Sequence, residues 1–292
     1  MGSTYIRAAG ILYNSIGYRI MIYTGGNSIV SAYTNGVSVK EIYASGVKVW
    51  PVDEPTSYYI KWTPKNLTGT FSIEGTVYNF SDYNGYFSGF DGVITSSAFI
   101  STGITSVETN AYRIGYRAFY NCKSLSYASL SECEYISNYA FARTNDNNQS
   151  SFAFYAPVCS YIGNDAFLYR RTLSSLNAPN VEYLSNEAFA ACGIVDYLYL
   201  SKCSYVGKGA FLENDFSKVS LPKCTYIGYM GFNNCGSLGA LYLGGSSVCT
   251  LGSSFGACFY STPVYVYVPR SLYSAYKKAQ YWSDRTGRIF SY

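Results

Sequence analysis

This chain of 292 residues contains no histidine, the side chain most often used for general acid–base catalysis. Without an imidazole there is no Ser-His-Asp or Cys-His nucleophile pair and no histidine-ligated metal ion. Residues 252–256 read GSSFG and match the GxSxG pattern of hydrolases, with Ser254 as the candidate nucleophile. No histidine is available to activate Ser254, and Asp53 and Glu54 are the only adjacent acidic residues. The sequence therefore predicts a protein that is not an enzyme.

Tyrosine is the residue type that gives this chain a means of recognition. The chain has 34 tyrosines, and each combines a rigid apolar ring with a polar tip, which suits the binding of protein or sugar. Some of them recur at positions that would face solvent on short strands, together with one lysine. The candidate binding residues are Tyr127, Tyr197, Tyr199, Lys218 and Tyr242. The alternative is that these rings only stabilise the fold by stacking, at about 0.5–1.5 kcal/mol per pair.

The elements that position these residues come from a repeat in the second half of the chain, in which an aliphatic residue shortly precedes a phenylalanine. The phenylalanines are Phe119, Phe141, Phe167, Phe189, Phe211, Phe232 and Phe255, separated by 22, 26, 22, 22, 21 and 23 residues. The aliphatic residues are Ile114, Ile136, Ile162, Leu184, Val206, Ile227 and Leu251. A fixed period in this range is typical of a solenoid.

Between these positions the chain reads LxxLxLxxC or a near variant, for example at Val195, Leu198, Leu200 and Cys203. The alternate spacing of the last two apolar residues predicts one short strand per coil. A single coil cannot bury its own apolar side chains, so the coils must stack with their strands about 4.8 Å apart in a parallel sheet. The predicted fold is a mainly β solenoid of about seven coils of 21–26 residues, preceded by a small N-terminal β domain.

The repeats resemble the BspA-like bacterial leucine-rich repeat family, in which an IGxxAF segment follows each strand. The segments here are Ile114-Gly115 with Ala118-Phe119, Ile162-Gly163 with Ala166-Phe167, and Val206-Gly207 with Ala210-Phe211. The resemblance covers residues 99–292. It departs from the pattern at an insertion over residues 145–150 and at Met230-Gly231. It implies a leucine-rich repeat solenoid that binds a partner.

The end of the chain is similar to the usual closure of that family, with a strand at 264–268, then Pro269, and a helix around 271–281. A polar cap is needed because the last coil would otherwise leave its core open to water. Five basic residues fall in this segment: Arg270, Lys277, Lys278, Arg285 and Arg288. We interpret them as a solvated face of the cap, and a site for an anionic partner is the alternative.

Eight of the nine cysteines fall into two columns of the repeat. One column contains Cys133, Cys159, Cys203 and Cys224, and the other contains Cys122, Cys192, Cys235 and Cys258. Stacked side chains on neighbouring coils would keep their Cβ atoms about 4.8 Å apart, beyond the usual disulfide range. We therefore expect buried free thiols that pack as small apolar groups. No CxxC pair occurs, so neither a metal ion nor a cofactor is expected.

A second set of tyrosines immediately precedes the aliphatic residues of the repeat: Tyr135, Tyr161, Tyr183, Tyr205 and Tyr226. These should stack as a ladder along one outer edge of the solenoid. We expect this ladder to stabilise neighbouring coils, and a role in binding is the alternative.

The first hundred residues differ from the rest. Residues 1–52 read as a β docking domain, with strands at 18–23, 29–33, 37–43 and 47–50 and a hairpin turn at Asn35-Gly36. The segment SVKEIYASGVKVWP, residues 38–51, resembles a short segment near the start of bacteriophage tail and fibre proteins. It implies that residues 1–52 attach to a particle. Residues 53–98 are predicted to form a β domain or cap, followed by the repeats at 99–263 and the closing segment at 264–292.

Composition and charge exclude several classes of function. A net charge of +4 is too small to favour nucleic acid, and no apolar run approaches the roughly 18 residues that a membrane span needs. The first residues lack the pattern of a secretory signal. Either a signal has been removed, or the protein leaves its cell by another route.

Together these observations favour a non-enzymatic virion protein of a bacteriophage, a tail or capsid fibre component. It would bind other virion proteins through residues 1–52, form a homo-oligomer, and attach to a host surface protein or glycan through its repeats. The alternative is a bacterial cell-surface or secreted adhesin with the same repeats.

Overall fold

The computed structural model describes residues 57–143, 151–171, 173–194 and 197–292 and, before residue 57, the backbone of six short strands. The chain divides into two compact units, Met1–Ser57 and Tyr58–Tyr292.

The first unit consists of short antiparallel strands. They are β1 (Leu12–Tyr13), β2 (Arg19–Gly25), β3 (Ser28–Thr34), β4 (Val37–Ser38), β5 (Ile42–Ala44) and β6 (Val47–Trp50). Strands β1 to β4 pair in chain order, and β5 pairs with β6. Thr34 pairs with Val37, which confirms the hairpin predicted at Asn35-Gly36. Of the strand predicted over 37–43, residues 39–41 lie outside the described part.

The second unit begins with four strands that close the first end of the solenoid. They are β7 (Tyr58–Thr63), β8 (Thr70–Ile73), β9 (Thr76–Asn79) and β10 (Tyr86–Phe90), with a 3-10 turn at Phe80–Asp82. The β8–β9 hairpin turns at Glu74 and Gly75, whose φ angles of 52° and 80° are those of the turn that matches strand twist. Trp62, Phe71 and Phe80 are buried under this layer.

In the solenoid, strands of four or five residues alternate with two-residue strands, apart from the two-residue strand Leu198–Tyr199 and the final three-residue strand Ile289–Ser291. In chain order these are β11 (Val93–Ile94), β12 (Ser106–Thr109), β13 (Arg113–Ile114), β14 (Tyr127–Leu130), β15 (Tyr135–Ile136), β16 (Phe152–Tyr155), β17 (Tyr161–Ile162), β18 (Leu173–Asn177), β19 (Tyr183–Leu184), β20 (Leu198–Tyr199), β21 (Tyr205–Val206), β22 (Lys218–Leu221), β23 (Tyr226–Ile227), β24 (Ala240–Leu243), β25 (Thr250–Leu251), β26 (Tyr265–Val268) and β27 (Ile289–Ser291).

These strands form two walls. The first wall, which we call the strand face, consists of two sheets, β10-β7-β12-β14-β16-β18 and β20-β22-β24-β26-β27. The odd-numbered strands β11 to β25 make an eight-stranded parallel sheet, which we call the edge sheet. Only β7 runs antiparallel to its neighbours β10 and β12. The predicted parallel solenoid is therefore confirmed.

A stack of phenylalanine rings runs through the core. Neighbouring rings from Phe99 to Phe259 lie 4.9–5.9 Å apart, centroid to centroid, and within 21° of parallel. Phe71 on β8 extends the stack by one ring, at 5.2 Å from Phe99. Each fully buried ring contributes about 1.5–3 kcal/mol through the hydrophobic effect, so this stack is a principal source of cohesion between coils.

Each coil turns sharply on both sides of its phenylalanine. In the seven coils from Phe99 to Phe232, the residues two positions before and two positions after the ring all have φ between 52° and 59°. In this left-handed backbone, every second amide N–H points along the solenoid axis, toward the next coil. The N–H groups of Arg117, Phe119 and Asn121, for example, donate to the carbonyls of Asn138, Ala140 and Ala142 in the next coil.

The structure adds a coil at the beginning that the repeat pattern did not show. Ile94, Ala98 and Phe99 occupy the positions that Ile114, Ala118 and Phe119 hold one coil later, and all three are buried. Thr95 stands where the next coil has glycine, so this copy does not match the IG pair that defined the repeat.

The structure also corrects the last position of the repeat. The ring stacked on Phe232 is that of Phe259, and the amide of Phe232 donates to the carbonyl of Cys258. Phe255 instead begins a one-turn helix, α1 (Phe255–Cys258). The last coil therefore has three extra residues between its aliphatic residue and its stacked ring, and they are accommodated by this helical turn.

The closing segment contains a 3-10 turn at Arg270–Leu272, helix α2 (Tyr273–Lys278) and a further 3-10 segment at Ser283–Arg288. Helix α2 is shorter than the predicted helix over 271–281, because Ala279 returns to extended backbone. Tyr276 and Trp282 are fully buried over the last coil. None of the helices in the described part of the chain is long and apolar enough to cross a membrane.

All nine cysteines are buried and unbridged, as expected. Cys122, Cys192 and Cys235 donate from sulfur to the carbonyls of Phe99, Phe167 and Phe211 in the preceding coil. Cys258 lies beside the stacked ring rather than three residues after it, a consequence of the shift from Phe255 to Phe259.

Candidate binding surface

The second sheet of the strand face carries a continuous group of aromatic side chains. Residues that alternate along these strands point either into the core or outward, and Leu198, Val219 and Leu241 are the buried members at one level of three adjacent strands. The outward members and the residues next to them form what we call the aromatic patch: Tyr197, Tyr199, Lys218, Tyr242, Tyr265, Tyr267, Phe290 and Tyr292.

Lys218 lies at the centre of this group. Its Nζ atom is 5.0 Å from the ring centroid of Tyr197 and 4.6 Å from that of Tyr242. Tyr197 is in turn stacked with Tyr199 at 6.2 Å. A lysine ammonium between two ring faces is held by cation–π attraction, about 0.5–1 kcal/mol per contact at an exposed site. The structure thus brings together four of the five predicted binding residues.

The patch continues across the last two strands. Tyr242 and Tyr267 stack at 4.8 Å with an angle of 12°, and Phe290 lies 5.8 Å from Tyr267 and 5.6 Å from Tyr265. Tyr292 contacts Tyr242 and donates its hydroxyl hydrogen to the carbonyl of Leu243. The rings therefore support one another.

Much of this ring surface remains open to solvent. Tyr197 and Tyr199 are each 52% exposed and Tyr292 is 60% exposed. None of the five strands β20, β22, β24, β26 and β27 contains an aspartate or glutamate. The patch is therefore aromatic and locally cationic.

The fifth predicted residue, Tyr127, does not belong to the patch. It lies on β14 in the first sheet of the strand face, where Ser106 and Ala153 are its neighbours in register. Its ring is 39% exposed.

Sequence reasoning missed the contribution of the last two strands. Tyr265 and Tyr267 alternate with valines in residues 264–268, with the same spacing as Tyr197 and Tyr199. This alternation could have predicted that both tyrosines face outward. Phe290 and Tyr292 gave no such signal, because nothing in the repeat predicts that the chain returns after α2 to add the parallel strand β27 beside β26.

The predicted ladder of Tyr135, Tyr161, Tyr183, Tyr205 and Tyr226 is present on the edge sheet. Its successive centroid distances are 4.4, 5.3, 4.2 and 4.8 Å, and the rings are within 12° of parallel. Arg113 covers the first ring at 4.6 Å. Partial burial and the hydrogen bond with Tyr205 raise the pKa of Tyr183 to about 12.

The basic residues of the closing segment are spread over its surface. Arg288 lies 4.9 Å from the ring centroid of Tyr265, at the margin of the aromatic patch, and donates to the carbonyl of Pro263. Lys277 lies over Tyr273. Arg285 donates to the carbonyl of Asp284. Arg288 therefore lies at the patch through its side chain, and Arg270 contacts the patch through its backbone, since its amide donates to the carbonyl of Tyr292.

Ser254, the serine of the GxSxG match, has a structural role. Its hydroxyl oxygen accepts a hydrogen bond from the amide of Ala257, and it caps helix α1. In the described part of the chain no group of three or more cysteines, aspartates or glutamates lies close enough to hold a metal ion.

Two clefts lie at the opposite end of the second unit from the patch. One, of about 310 Å³, is lined by Lys61, Thr63, Lys65, Tyr86 and Glu108 among others. The other, of about 490 Å³, is lined among others by Ser72, Arg113 and Tyr116. Neither contains a predicted binding residue.

A solenoid of stacked coils, each with one strand and one short return strand, has the architecture of a leucine-rich repeat protein. A family model described as "BspA type Leucine rich repeat region" matches in six copies over residues 92–214 and 135–262. These ranges cover more than half of the chain. The chain belongs to the BspA-type leucine-rich repeat family.

Three solved structures are similar to this chain. A leucine-rich repeat protein of T. pallidum is 17% identical, with 65% of this chain and 77% of that chain covered and a TM-score of 0.39. A leucine-rich cell surface protein from Faecalibacterium prausnitzii is 13% identical, with coverage of 90% and 76% and a TM-score of 0.36. The pneumococcal vaccine antigen PcpA is 11% identical, with coverage of 98% of each chain and a TM-score of 0.32. No curated protein matches significantly.

Proposed function

We propose that this protein is a non-enzymatic recognition protein that binds a partner on a cell surface through the aromatic patch. The observation that carries this proposal is the exposed arrangement of Lys218 between the rings of Tyr197 and Tyr242. Membership of a family of binding scaffolds supports it. The partner is a protein or a glycan displayed on that surface.

The residue types of the patch and the order of its side chains suit this role. Tyrosine and arginine are enriched among the residues that dominate binding energy at interfaces. Because the rings of Tyr242, Tyr267 and Phe290 are already ordered by mutual contact, little side-chain entropy is lost when a partner covers them. A preformed surface of this kind gains affinity without a conformational change.

The assignment as a non-enzyme rests on the composition and on Ser254. The chain has no histidine, and the hydroxyl of Ser254 is engaged with the backbone of α1. The nucleophile pattern in the sequence is thereby accounted for by a helix cap.

Two biological settings fit this function. Family membership supports a bacterial cell-surface or secreted adhesin. The second setting is the virion of a bacteriophage, where the protein would be a tail or capsid fibre component that attaches to a host, with residues 1–52 bound to other virion proteins. Only the resemblance of residues 38–51 favours the virion, and the side chains of that segment lie outside the described residues. The adhesin is therefore the setting that we favour.

A cell-binding experiment tests the role of the patch. Fluorescently labelled full-length protein is incubated with a panel of bacterial cells and epithelial cells, and bound protein is measured by flow cytometry. We expect binding to at least one cell type, and an affinity reduced at least tenfold, about 1.4 kcal/mol, in the double variant Tyr197→Ala, Tyr199→Ala. The matched control is Tyr260→Ala, which removes a ring that is 64% exposed but lies outside the patch. Equal binding by the double variant and the unaltered protein contradicts the proposal.

Molar mass in solution distinguishes the two settings. Light scattering compares the full chain with residues 58–292, the second compact unit. An oligomer that becomes a monomer when residues 1–57 are removed supports attachment to a particle through that unit. A monomer in both cases supports the adhesin.

A further inference from the structure

Two of the nine buried thiols are placed differently from the rest. The Sγ atoms of Cys224 and Cys249 are 3.8 Å apart. Among the described residues, which include all nine cysteines, no other pair of sulfur atoms is in hydrogen-bonding contact. Both side chains are at most 1% exposed.

The sequence explains why this pair is close. Cys224 lies three residues before Ile227, whereas Cys249 lies only two before Leu251, and Ile227 pairs with Leu251. Cys249 therefore lies one position out of the column to which Cys203 and Cys224 belong. The separation of about 4.8 Å expected for cysteines stacked directly on each other does not describe this pair, whose members are offset by one position along the chain.

The closing segment holds Cys249 in position. The amide of Cys249 donates to the hydroxyl oxygen of Tyr276 at 2.9 Å, and the indole N–H of Trp282 donates to its carbonyl at 2.6 Å. On the other side, β23 follows Cys224 and pairs with β25. A disulfide bond of about 2.0 Å requires the two sulfur atoms, which are 3.8 Å apart, to move toward each other by about 1.8 Å.

We propose that Cys224 and Cys249 form a disulfide when the chain folds in an oxidising medium, and that this bond joins the last two coils. The oxidant is a small disulfide such as oxidised glutathione. One cysteine thiolate attacks a sulfur atom of the oxidant and releases one small thiolate. The second cysteine thiolate attacks the mixed disulfide, releasing another small thiolate, and the two cysteine protons pass to the released thiolates.

The bond forms during folding rather than afterwards. Contact with Cys249 and burial raise the pKa of the Cys224 thiol, and the thiolate is the reactive form. Once Trp282 and Tyr276 cover the last coil, Cys224 favours its protonated form and both sulfur atoms are inaccessible. Protein that folds in a reducing medium consequently keeps nine thiols, and protein that folds with the oxidant keeps seven.

Thiol counting after refolding tests this proposal. The full chain is denatured in reductant and refolded in oxidised and reduced glutathione. It is then alkylated under denaturing conditions and digested with chymotrypsin. Cleavage after Tyr226, Leu238, Tyr242 and Leu251, among other sites, places the cysteines on separate peptides, which trypsin cannot do between residues 224 and 270. We expect seven alkylated thiols and one linked pair of peptides, containing Cys224 and Cys249.

Two variants and the unaltered chain make the outcome decisive. Cys249→Ser is expected to retain all eight of its remaining thiols in the oxidising buffer, and the matched control Cys203→Ser is expected to fall from eight to six. If Cys249→Ser does not fold, the peptide map of the unaltered protein alone decides. Nine free thiols after oxidative refolding, or a bond between any other two cysteines, overturns the proposal.

Discussion

The coil geometry imposes backbone strain on the residues two positions before and two positions after the phenylalanines. The seven coils from Phe99 to Phe232 have left-handed backbone on both sides of the phenylalanine, yet Gly209 is the only glycine at these positions. A side chain in that conformation costs about 1–2 kcal/mol. The contacts between coils must therefore offset a repeated local cost.

Glu213 provides a test of this cost, because it is exposed and has a φ of 56°. Glu213→Gly should relieve the left-handed strain and, after the larger entropy of glycine in the unfolded chain, stabilise the protein by about 0.5–1 kcal/mol. Urea unfolding measures the difference. Glu213→Ala is the control, since it removes the same side chain and keeps the strain. A glycine variant no more stable than the alanine variant would refute the interpretation.

Gly193 is a position where the opposite substitution should be severe. Its φ is 64°, and a Cβ atom there would lie 2.1 Å from the carbonyl oxygen of Arg171. We expect Gly193→Ala to destabilise the protein by about 2–4 kcal/mol, through strain and overlap with backbone that cannot move freely. Gly236→Ala is the matched control, because no atom lies within 4 Å of its added Cβ, and it should change stability by less than about 0.5 kcal/mol. Similar effects of the two substitutions in urea unfolding would contradict the structure.

At the scale of elements, the edge sheet is reinforced by the tyrosine ladder, which covers five of its eight strands. Its strands are only two residues long, so few backbone hydrogen bonds hold each one. Ring stacking at 4.2–5.3 Å supplements them on the outer side, while the phenylalanine stack supports the inner side.

The ladder predicts a loss of stability in alkali. Tyrosine in an unfolded chain ionises near pH 10, whereas the pKa of Tyr183 is raised to about 12 in the folded state. Its contribution is fully present below pH 10 and is lost as the pH rises toward 12. Between pH 9 and pH 11, the urea midpoint of Tyr183→Phe should fall less than that of the unaltered protein. Tyr260→Phe, at an exposed position, should fall as the unaltered protein does. A Tyr183→Phe midpoint that falls as steeply would exclude this role for Tyr183.

Much of this arrangement could be read from the sequence, because the repeat places one residue type at one position in each coil. The strands, the buried thiols and the tyrosine ladder all follow from periodicity. The first coil was missed because Thr95 replaces the glycine of the pattern. The last ring was misassigned because Phe255 and Phe259 both follow Leu251, and only the packing against Phe232 selects Phe259.

The binding surface was harder to predict than the coils. Four of its residues follow from strand alternation. Tyr127 occupies an equivalent outward position, but it lies on β14, several coils away from the patch. Phe290 and Tyr292 join the patch through a chain reversal after α2. Such non-repeating contacts arise from tertiary packing and leave no period in the sequence.

At the scale of the whole molecule, the second unit is one continuous core closed at both ends. It extends from Ile60 to Ile289, and each coil contacts chiefly its neighbours. In such solenoids stability is approximately the sum of the coils and the interfaces between them. A terminal coil has a neighbouring coil on one side only, so unfolding is expected to begin at the ends unless the closing segments cover them.

Trp282 is the residue whose loss should open the closing end. It is fully buried, contacts Phe255, Phe259 and Tyr276, and donates to the carbonyl of Cys249. Trp282→Ala should cost about 3–5 kcal/mol. Hydrogen exchange should then increase mainly in β25 to β27, while β12 to β16 remain protected. Uniform loss of protection along the solenoid would show that the coils do not behave as separable units.

Because the coils are equivalent, the length of the solenoid is set by the number of coils. One whole coil inserted between β18 and β20 would carry the aromatic patch about 4.8 Å farther from β7 and leave the chemistry of both ends unchanged. The distance at which this surface is presented can thus vary in discrete steps, independently of what the surface recognises.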